Sequence, residues 1–333
     1  MVLAVLKEPG FETRVSLLAE AIGGLIKKGI SVLVEQGAGE AAFCSDADYA
    51  KAGARIVSMN DIIGEAEIVL SIHPPQNETL LQKKGLVLIG VYQPLYHKER
   101  TEQWTAAGLT VFSLDMLPRT TRAQAMDVLS SQANIAGYKA VLLAAGLYGR
   151  YFPMFMTAAG SIAPAKVLIL GAGVAGLQAI ATARRLGAVV EVFDTRPAVK
   201  EEVMSLGAKF IEVEGAADAS KAGGYAVEQT EEYKQKQQDR IAASIAKADI
   251  VITTAQIPGR QAPQLISEAM VQSMRLGSVI IDIAAATGGN TPYTKNNETV
   301  TVHGESLEIL CCRLPCLPMR VNCMGRMLPI FCN

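Results

Sequence analysis

The sequence predicts an α/β protein of two domains, each a doubly wound parallel sheet, joined by long helices. Three observations lead to this prediction. The chain has 333 residues, more than the ~100–200 residues of a typical domain. Short apolar segments of strand length alternate with amphipathic segments in two separate series along the chain. Half of the residues are hydrophobic, so each domain can bury a core of its own.

Composition and charge exclude several classes of protein. The formal net charge is -1 and aromatic residues are scarce at 5%, so no polyanion-binding surface and no nucleic-acid partner are expected. The longest uncharged run, residues 167–183, is interrupted by glycines, which favours a strand, a turn and a helix over a membrane span. Residues 2–6 lack the flanks of a signal peptide and are predicted to form the first strand.

The first third of the chain has the rhythm of repeated strand–helix–strand units. Strands are predicted at residues 3–6, 31–35, 68–72, 86–91 and 109–113, and a helix at about 16–28. Gly29 and Gly108 stand where helices should end, and Asn77 can cap the start of another. We predict a first domain at residues 1–125.

A long helix and a second strand series follow. Apolar residues near one stripe predict a helix over residues 121–147 that bridges the domains. Further strands are predicted at residues 167–170, 189–193, 209–213, 249–253 and 278–283. The second domain is placed at residues 126–304. Segment 215–238 breaks the rhythm, and it is either a mobile flap beside a cofactor or a plain surface insertion.

A glycine-rich turn follows the apolar strand that begins the second series. The spacing of Gly171, Gly173 and Gly176, between a strand and a segment of helix formers, is the context that the dinucleotide-binding motif requires. The first glycine permits the tight turn, the second lets a diphosphate approach the backbone, and the third allows close packing of helix on strand. We predict cofactor contacts at all three glycines and at Ala172 and Val174.

An acidic residue strengthens the motif, which is weak evidence when it stands alone. Asp194 ends the next apolar strand, about 20 residues beyond the glycines, where a carboxylate can accept both ribose hydroxyls. Its charge would repel a 2′-phosphate, so NAD(H) is expected rather than NADP(H). Thr195 and Arg196 are further candidate contacts, and Arg196 is expected against the adenine or the diphosphate, with a simple surface arginine as the alternative. The sequence thus predicts a Rossmann-like NAD(H) site.

A polar constellation precedes the bridging helix. Arg119, Gln124, Asp127 and Ser130 lie close together in the sequence, and Asp127 would favour an early helix turn. Without further information the group is a capped helix with one surface ion pair.

Here the sequence closely resembles domain I, the NAD(H)-binding component, of proton-translocating transhydrogenases, which are related to alanine dehydrogenase. The resemblance covers residues 7–303 and is carried by the Arg, Gln and Asp of this loop and by several motifs: Ala-Asn-Ile-Ala-Gly-Tyr at 133–138, Thr-Ala-Ala-Gly at 157–160, the glycine turn, Thr-Thr-Ala at 253–255, Ile-Pro-Gly at 257–259 and Gly-Gly-Asn at 288–290.

This resemblance implies roles for the loop. Arg119 would hold the nicotinamide ribose or the diphosphate, Asp127 would hold Arg119, Gln124 would contact the ribose, and Ser130 would fix the carboxamide. No acid or base is needed, because hydride passes directly between two nicotinamides. The resemblance further implies contacts at Gly224, Gln237, Ala255 and Gln256, and a loop at 223–225 that closes over the nucleotide. Gln256 departs from the apolar residue that is common there.

The resemblance also implies partners. The chain would form a homodimer and dock on an NADP(H)-binding component attached to a membrane proton channel. It would lie on the cytoplasmic or matrix-equivalent side of the inner membrane, held there by those partners, with no transmembrane segment of its own.

Two alternatives remain open. Alanine dehydrogenases place a lysine after the third strand and a catalytic histidine after the fourth, whereas this chain has Ser-Ile-His-Pro-Pro at 71–75 and Gly-Val-Tyr-Gln-Pro at 90–94. His73, His97 and His303 are therefore interpreted as surface or loop residues rather than as general acids. The other alternative is a non-catalytic NAD(H)-binding module, since a fold alone does not establish chemistry.

The tail at residues 305–333 departs from the family pattern. Residues 305–316 show neither helical nor strand periodicity, and five cysteines cluster in the last 23 residues: Cys311, Cys312, Cys316, Cys323 and Cys332. The family instead continues with a strand, a turn and a helix that returns to the first domain, and an adjacent reading frame of this tail can encode that helix. We hypothesise a frameshift near residue 304. A cysteine metal site is disfavoured, because the paired C-x2-C spacing of structural zinc is missing, and the earlier Cys44 indicates a reduced, cytosolic protein.

Overall fold

The computed structural model describes residues 1–118, 120–213, 230–257 and 259–302, together with the backbone of 307–311. The chain forms two compact units, of which the first comprises Met1–Ser131 in its described part and the second Gln132–Leu314. The division lies inside a long helix, shortly after the predicted domain boundary at residues 125 and 126.

The first unit is built on one parallel sheet. Its strands are β1 (Val2–Val5), β2 (Ser31–Glu35), β3 (Arg55–Val57), β4 (Ile68–Leu70), β5 (Val87–Gly90) and β6 (Thr110–Ser113). Its helices are α1 (Ala19–Ile26), α2 (Asp46–Lys51), α3 (Met59–Glu65), α4 (Glu78–Leu81) and α5 (Lys98–Ala106). The strand order is β3-β2-β1-β4-β5-β6, and every neighbouring pair is parallel. Growth of the sheet in both directions from β1 confirms the doubly wound prediction.

Both faces of this sheet are buried. In β1, Leu3 and Val5 pack in one hydrophobic cluster, whereas Ala4 packs in another on the opposite face. This arrangement explains why the strands read as continuous apolar runs rather than as alternating ones. The short strand β3 was missed, because three residues beginning with exposed Arg55 carry no such run.

The helix ends of the first unit follow local rules. Gly29 and Gly108 have positive φ angles of 79° and 72° and end α1 and α5, as predicted. The Asn77 side chain accepts a hydrogen bond from the Leu80 amide at 3.0 Å, which confirms the predicted cap of α4.

The bridging helix, α6 (Val128–Leu147), is shorter than predicted. The prediction that helix begins at residue 121 was wrong, because Gln124–Met126 form a 3-10 turn and Asp127 has a ψ of 83°, outside the helical region. The Asp127 carboxylate instead accepts the Ser130 amide at 2.9 Å. Asp127 therefore caps the helix and does not lie within its first turn.

The second unit contains a larger sheet and a separate hairpin. Its strands are β7 (Phe155–Thr157), β8 (Gly160–Ile162), β9 (Lys166–Leu170), β10 (Val189–Phe193), β11 (Lys209–Phe210), β12 (Ile250–Thr253), β13 (Ser278–Asp282), β14 (Glu298–Val302) and β15 (Leu307–Cys311). Its further helices are α7 (Val174–Arg185), α8 (Lys200–Ser205), α9 (Glu231–Ile245) and α10 (Glu268–Gln272). The large sheet has the strand order β11-β10-β9-β12-β13-β15-β14, and among its described pairs β14–β15 is antiparallel and the others are parallel. Strands β7 and β8 form a separate antiparallel hairpin.

Two predictions for the second unit need correction. Residues 305–316 were expected to lack regular structure, yet β15 pairs in parallel with β13, Ser278 opposite Leu307. Backbone groups at a sheet edge can pair with an extended segment whatever its side-chain pattern, so periodicity missed this strand. Segment 215–238 was expected to be irregular, but α9 already begins at Glu231, after Thr230 accepts the Tyr233 amide at 3.3 Å.

The core of the second unit lies on both faces of its sheet. Val167 and Ile169 of β9 pack on one side with helix α7 and the last turns of α6, and Leu168 and Leu170 pack on the other side with α9 and α10. Within the described ranges, no helix is both long and apolar enough to cross a membrane.

Candidate functional site

The candidate site of the second unit lies at the carboxyl ends of β9, β10 and β12. Strand β9 lies between β10 and β12, so the connection after β9 leads toward one edge of the sheet and the connection after β12 leads toward the other. A crevice opens at such a switch point, because the loops that follow the two strands diverge. The loops after β9, β10 and β12 carry most of the residues predicted to contact a nucleotide.

The glycine turn after β9 has the predicted local geometry. Gly171 has a φ of 106°, and a Cβ there would lie 2.4 Å from the Thr254 hydroxyl. A Cβ on Gly176 would lie 1.9 Å from the Gly171 carbonyl oxygen, so only glycine lets α7 pack this closely on the strand. Gly173 has open space around its Cβ position, which leaves its backbone accessible to a ligand. The three glycines therefore serve three different purposes.

The start of α7 is suited to an anion. Gly173 is the N-cap residue, and no side chain among the described residues caps this helix of 12 residues. The first amides of a helix have no partner within the helix and carry partial positive charge. A diphosphate beside Gly173 could accept hydrogen bonds from them.

Asp194 is held at the end of β10 by both backbone and side-chain donors. The residue is 9% exposed. Its Oδ2 atom accepts the Ala172 amide at 2.7 Å, so the carboxylate fixes the glycine turn itself. Oδ1 accepts the Arg196 amide at 2.8 Å and the Arg196 Nε at 2.9 Å, and Oδ2 also accepts Arg196 Nη2 at 2.7 Å.

The Arg196–Asp194 ion pair was not predicted from the sequence. Arg196 was expected to lie against the adenine or the diphosphate, or else on the surface. Its guanidinium instead forms two hydrogen bonds with the Asp194 carboxylate. The side chain of Arg196 is 20% exposed and that of Asp194 is 6% exposed. The hydrogen bonds to Asp194 raise the pKa of Arg196, so it stays charged. The Asp-x-Arg spacing at a strand end was the available signal. Thr195, between the two, is partly buried.

Gln237 of α9 is a buried amide with no partner in the part of the chain that the structure describes. It is 8% exposed, and among the described residues no hydrogen bond to its side chain is present. A buried polar group normally has a partner, so this amide is available to a ligand. Burial, and then the negative charge of Asp194, raise the pKa of Tyr233, which lies one turn earlier in α9. Gly224 and the proposed closing loop at 223–225 lie outside the described residues.

The loop after β12 is fixed by Asn290, whose side-chain role the sequence analysis missed. Asn290 is fully buried, its Nδ2 donates to the carbonyl oxygens of Ala255 and Pro263 at 2.9 and 2.8 Å, and its Oδ1 accepts the Ala255 amide at 3.2 Å. The Asn290 amide in turn donates to buried Asp282 at 2.7 Å. Ala255 is thereby held on both its backbone groups. The exposed Gln256 beside it donates to the Ile283 carbonyl at 3.3 Å.

The motif at 133–138 also has a structural reason in the second unit. A Cβ on Gly137 of α6 would lie 2.0 Å from the Ala175 carbonyl oxygen, so α6 contacts the first turn of α7 directly. Asn134 donates to the Gln178 side chain at 3.2 Å. The glycine thus supports the helix start that faces the candidate diphosphate position.

The polar loop of the first unit is organised around Asp127. Its Oδ2 atom accepts the Ser130 hydroxyl at 2.6 Å, in addition to the amide that it caps. Gln124 is exposed on the 3-10 turn. Arg119, predicted to be held by Asp127, lies outside the described residues, as do His303 and the cysteines after Cys311. Among the described residues, Ser130 is therefore the hydrogen-bond partner of the Asp127 carboxylate.

A second cluster in the first unit was not predicted. Glu8 and His73 follow β1 and β4, at the switch point of that sheet, and line a cavity of about 420 Å³. Glu8 accepts the amides of Ile72 and His73 at 2.5 and 3.0 Å, yet burial outweighs them and raises the pKa of Glu8 to about 7. His73 Nε2 lies 2.9 Å from Glu12, and His97 is exposed at the start of α5.

Burial acts against the charge of Glu12, but its Arg14 and His73 partners outweigh it and lower the pKa of Glu12. In the described ranges, no group of three or more metal-ligating side chains comes together. At this switch point, Glu8 binds the backbone amides of Ile72 and His73, and Glu12 binds Arg14 and His73.

The second unit fits a dinucleotide. Within the described residues, it combines an accessible backbone at Gly173, a helix start without a side-chain cap, a buried carboxylate at Asp194 and the buried amide of Gln237. These are the donors and acceptors that a diphosphate, a ribose and an amide require.

Comparison with known proteins places this geometry in context. Residues 4–136 and 140–317 match the N-terminal and C-terminal domains of the alanine dehydrogenase/PNT family. The chain is similar to the first portion of the alpha subunit of the NAD(P) transhydrogenase of Rhodospirillum rubrum, at 46% identity over 91% of this chain and 82% of that protein. Alanine dehydrogenase of Mycolicibacterium smegmatis is 29% identical over 88% of this chain and 75% of its own. The solved transhydrogenase of Sinorhizobium meliloti has a TM-score of 0.83 and 41% identity, covering 98% of this chain and 90% of that one.

Proposed function

This chain belongs to the alanine dehydrogenase/PNT family, and from that membership we propose that it is the NAD(H)-binding component of a proton-translocating NAD(P) transhydrogenase. Its reaction is direct hydride transfer between NADH and NADP+ bound on a partner component, coupled to proton movement by a membrane component. The greater identity to a transhydrogenase subunit, 46% against 29% for an alanine dehydrogenase, carries the choice between the two activities.

The cofactor is held by the second unit. Asp194 takes the adenosine ribose, and the backbone from Gly171 to Gly176, including Ala172 and Val174, takes the diphosphate. Ala255, Gln256, Thr195, Gln237 and Gly224 complete the contacts. The dinucleotide supplies the hydride when bound, and the protein supplies binding and orientation. Asp194 also rejects NADP(H), because its negative charge would face the 2′-phosphate.

The polar loop of the first unit orients the nicotinamide. The Ser130 hydroxyl donates to Asp127, so its oxygen is left to accept an N–H from the carboxamide. Asp127 fixes the direction of that hydroxyl and also holds Arg119, while Gln124 contacts the ribose. Hydride transfer depends steeply on the distance and angle between donor and acceptor carbons, so a fixed ring rotation raises the rate.

The chain forms a homodimer, and the β7–β8 hairpin supports this proposal. Phe155, Met156 and Ile162 are 44%, 73% and 43% exposed, as are other apolar side chains around them. Adjacent exposed apolar side chains are typical of an interaction surface. The dimer docks on the NADP(H)-binding component and through it lies at the inner membrane, on the cytoplasmic or matrix-equivalent side.

An isotope experiment tests the proposed reaction. The purified chain is mixed with an NADP(H)-binding transhydrogenase component, NADP+ and NADH deuterated at C4, and the nucleotides are analysed by mass spectrometry. Deuterium is expected on NADPH and only when both proteins are present. Tight NADH binding without any deuterium transfer would contradict the proposal, and alanine-dependent reduction of NAD+ would favour an alanine dehydrogenase.

A further inference from the structure

Among the described residues, the carboxylate of Asp194 has four hydrogen-bond donors. Two are backbone amides, those of Ala172 and Arg196, at 2.7 and 2.8 Å. The other two are Nε and Nη2 of the Arg196 side chain, at 2.9 and 2.7 Å. A carboxylate offers about four lone-pair positions. The four donors therefore fill the hydrogen-bonding capacity of Asp194.

The two kinds of donor differ in how easily they can leave. The Ala172 amide belongs to the glycine turn, and the Arg196 amide belongs to a backbone that is extended at φ -98° and ψ 109° because Pro197 follows. Only the arginine side chain can swing away without moving the backbone. Its departure opens two acceptor positions, one on each oxygen. Two positions are what the adjacent 2′- and 3′-hydroxyls of a ribose require.

We propose that the Arg196 side chain competes with the adenosine ribose of NAD(H) for Asp194, and so limits the affinity for the nucleotide. This inference rests on the proposed function, in which Asp194 holds the ribose. The competition is substantial, because the ion pair is largely buried and its hydrogen bonds join two charged groups. Ribose hydroxyls are neutral donors and form weaker bonds with the same carboxylate. A nucleotide that binds must displace the guanidinium first.

Replacing Arg196 should change the affinity for the nucleotide in opposite directions for the two possible roles, competition for Asp194 and direct contact with the ligand. An arginine that stacks on adenine or pairs with phosphate strengthens binding, so its removal weakens the complex. A competing arginine does the opposite. The uncharged ligand adenosine is the suitable probe, because the loss of a positive charge would itself weaken the binding of the diphosphate in NADH.

The experiment compares the wild-type chain with Arg196→Met, which keeps an aliphatic stem and removes the donors. The dissociation constant of adenosine is expected to fall about tenfold, the size of one charge-assisted hydrogen bond. That of 2′,3′-dideoxyadenosine should not change, since this ligand leaves the ion pair in place. Arg185→Met, at an exposed position at the end of α7, removes the same charge and should leave both constants unchanged.

A second variant and one parallel measurement make the test decisive. Arg196→Lys keeps the positive charge but loses the paired donors of the planar guanidinium. It should also bind adenosine more tightly than the wild type, which keeps the test available if Arg196→Met does not fold. Unchanged or weaker adenosine binding in the folded variants would overturn the inference. NADH binding to the wild type is measured alongside, because its failure would overturn the proposed function itself.

Discussion

At the scale of single residues, Asp127 joins helix structure to chemistry. Its carboxylate caps α6 through the Ser130 amide and at the same time holds the Ser130 hydroxyl. Capping needs an oxygen acceptor but no charge. The proposed ion pair with Arg119 depends on the charge of Asp127, so capping and the proposed orienting role can be separated by one substitution.

We expect Asp127→Asn to slow hydride transfer by more than it weakens NADH binding. Asparagine still caps the helix, so the unfolding free energy should change by less than about 1 kcal/mol. Single-turnover transfer rates and NADH titrations measure the two effects. Asp61→Asn, in the capping box of α3 in the first unit, is the matched control and should affect neither. An unchanged transfer rate in Asp127→Asn would refute the orienting role.

Glu8 is the residue whose charge state should influence stability near neutral pH. Burial raises its pKa to about 7, so the folded chain holds a proton that the unfolded chain releases. The stabilisation is therefore present at low pH and is lost as the pH rises through 7. Between pH 6 and pH 8 the loss should be about 1 kcal/mol.

Urea unfolding of the wild type and of Glu8→Gln at both pH values checks this expectation. The glutamine variant should lose that much less stability over the same interval. Glu20→Gln, at a mostly exposed position in α1, is the control and should behave as the wild type does. Identical pH profiles for wild type and Glu8→Gln would show that Glu8 is already ionised at pH 6.

At the scale of elements, the strand–turn–helix formed by β9 and α7 separates packing from binding. Gly176 is close to the Gly171 carbonyl, whereas Gly173 has open space beside it. Gly173→Ala should therefore leave the unfolding free energy within ~0.5 kcal/mol of the wild type and weaken NADH binding at least tenfold, because the methyl group occupies the diphosphate position.

Gly176→Ala should reduce both stability and binding, since its methyl group must push α7 away from the strand. Denaturant unfolding and NADH fluorescence titration distinguish the two glycines. Gly146→Ala, in α6 with no atom near its Cβ position, is the control. Equal loss of stability in the Gly173 and Gly176 variants would contradict the assignment of different purposes.

The same element shows what sequence can predict and what it cannot. The strand, the turn and the three glycines follow local rules, so β9, α7 and the position of Asp194 were predicted from short patterns. The Arg196–Asp194 pair is a local side-chain contact, and the hydrogen bonds from Asn290 to Ala255 and Pro263 are tertiary contacts. Hydrophobic periodicity reports neither kind of contact. The start of α6 was misplaced because apolar spacing continues through a 3-10 turn, and β15 was missed because its pairing depends on the neighbouring strand.

At the scale of the whole molecule, the β7–β8 hairpin predicts association. Met156→Asp should shift the purified chain from dimer to monomer, because a charge cannot be buried in an apolar interface without a partner. Analytical ultracentrifugation measures the change. Met204→Asp is the control, since Met204 is 56% exposed on α8, a different element. A wild type that is monomeric at all concentrations would contradict the dimer.

The tail at 305–333 gives a prediction at the level of the gene. The frameshift hypothesis rests on the departure of residues 305–333 from the family pattern. Sequencing of the coding DNA is expected to show codons that, in the adjacent frame, encode the missing family helix. A chain with that frame restored should unfold at a higher temperature than this one. Codons incompatible with the alternate frame would end the hypothesis.

The Asp194–Ala172 hydrogen bond has a consequence for redesigning cofactor choice. A change of preference toward NADP(H) calls for removal of the carboxylate, yet that carboxylate also accepts the amide that anchors the glycine turn. Asp194→Gly would therefore remove the repulsion of the 2′-phosphate, but it would also loosen the glycine turn that is proposed to bind the diphosphate. Asp194→Asn keeps an oxygen acceptor at the same reach for the Ala172 amide and removes the charge that binds Arg196, so a conversion toward NADP(H) should begin with asparagine.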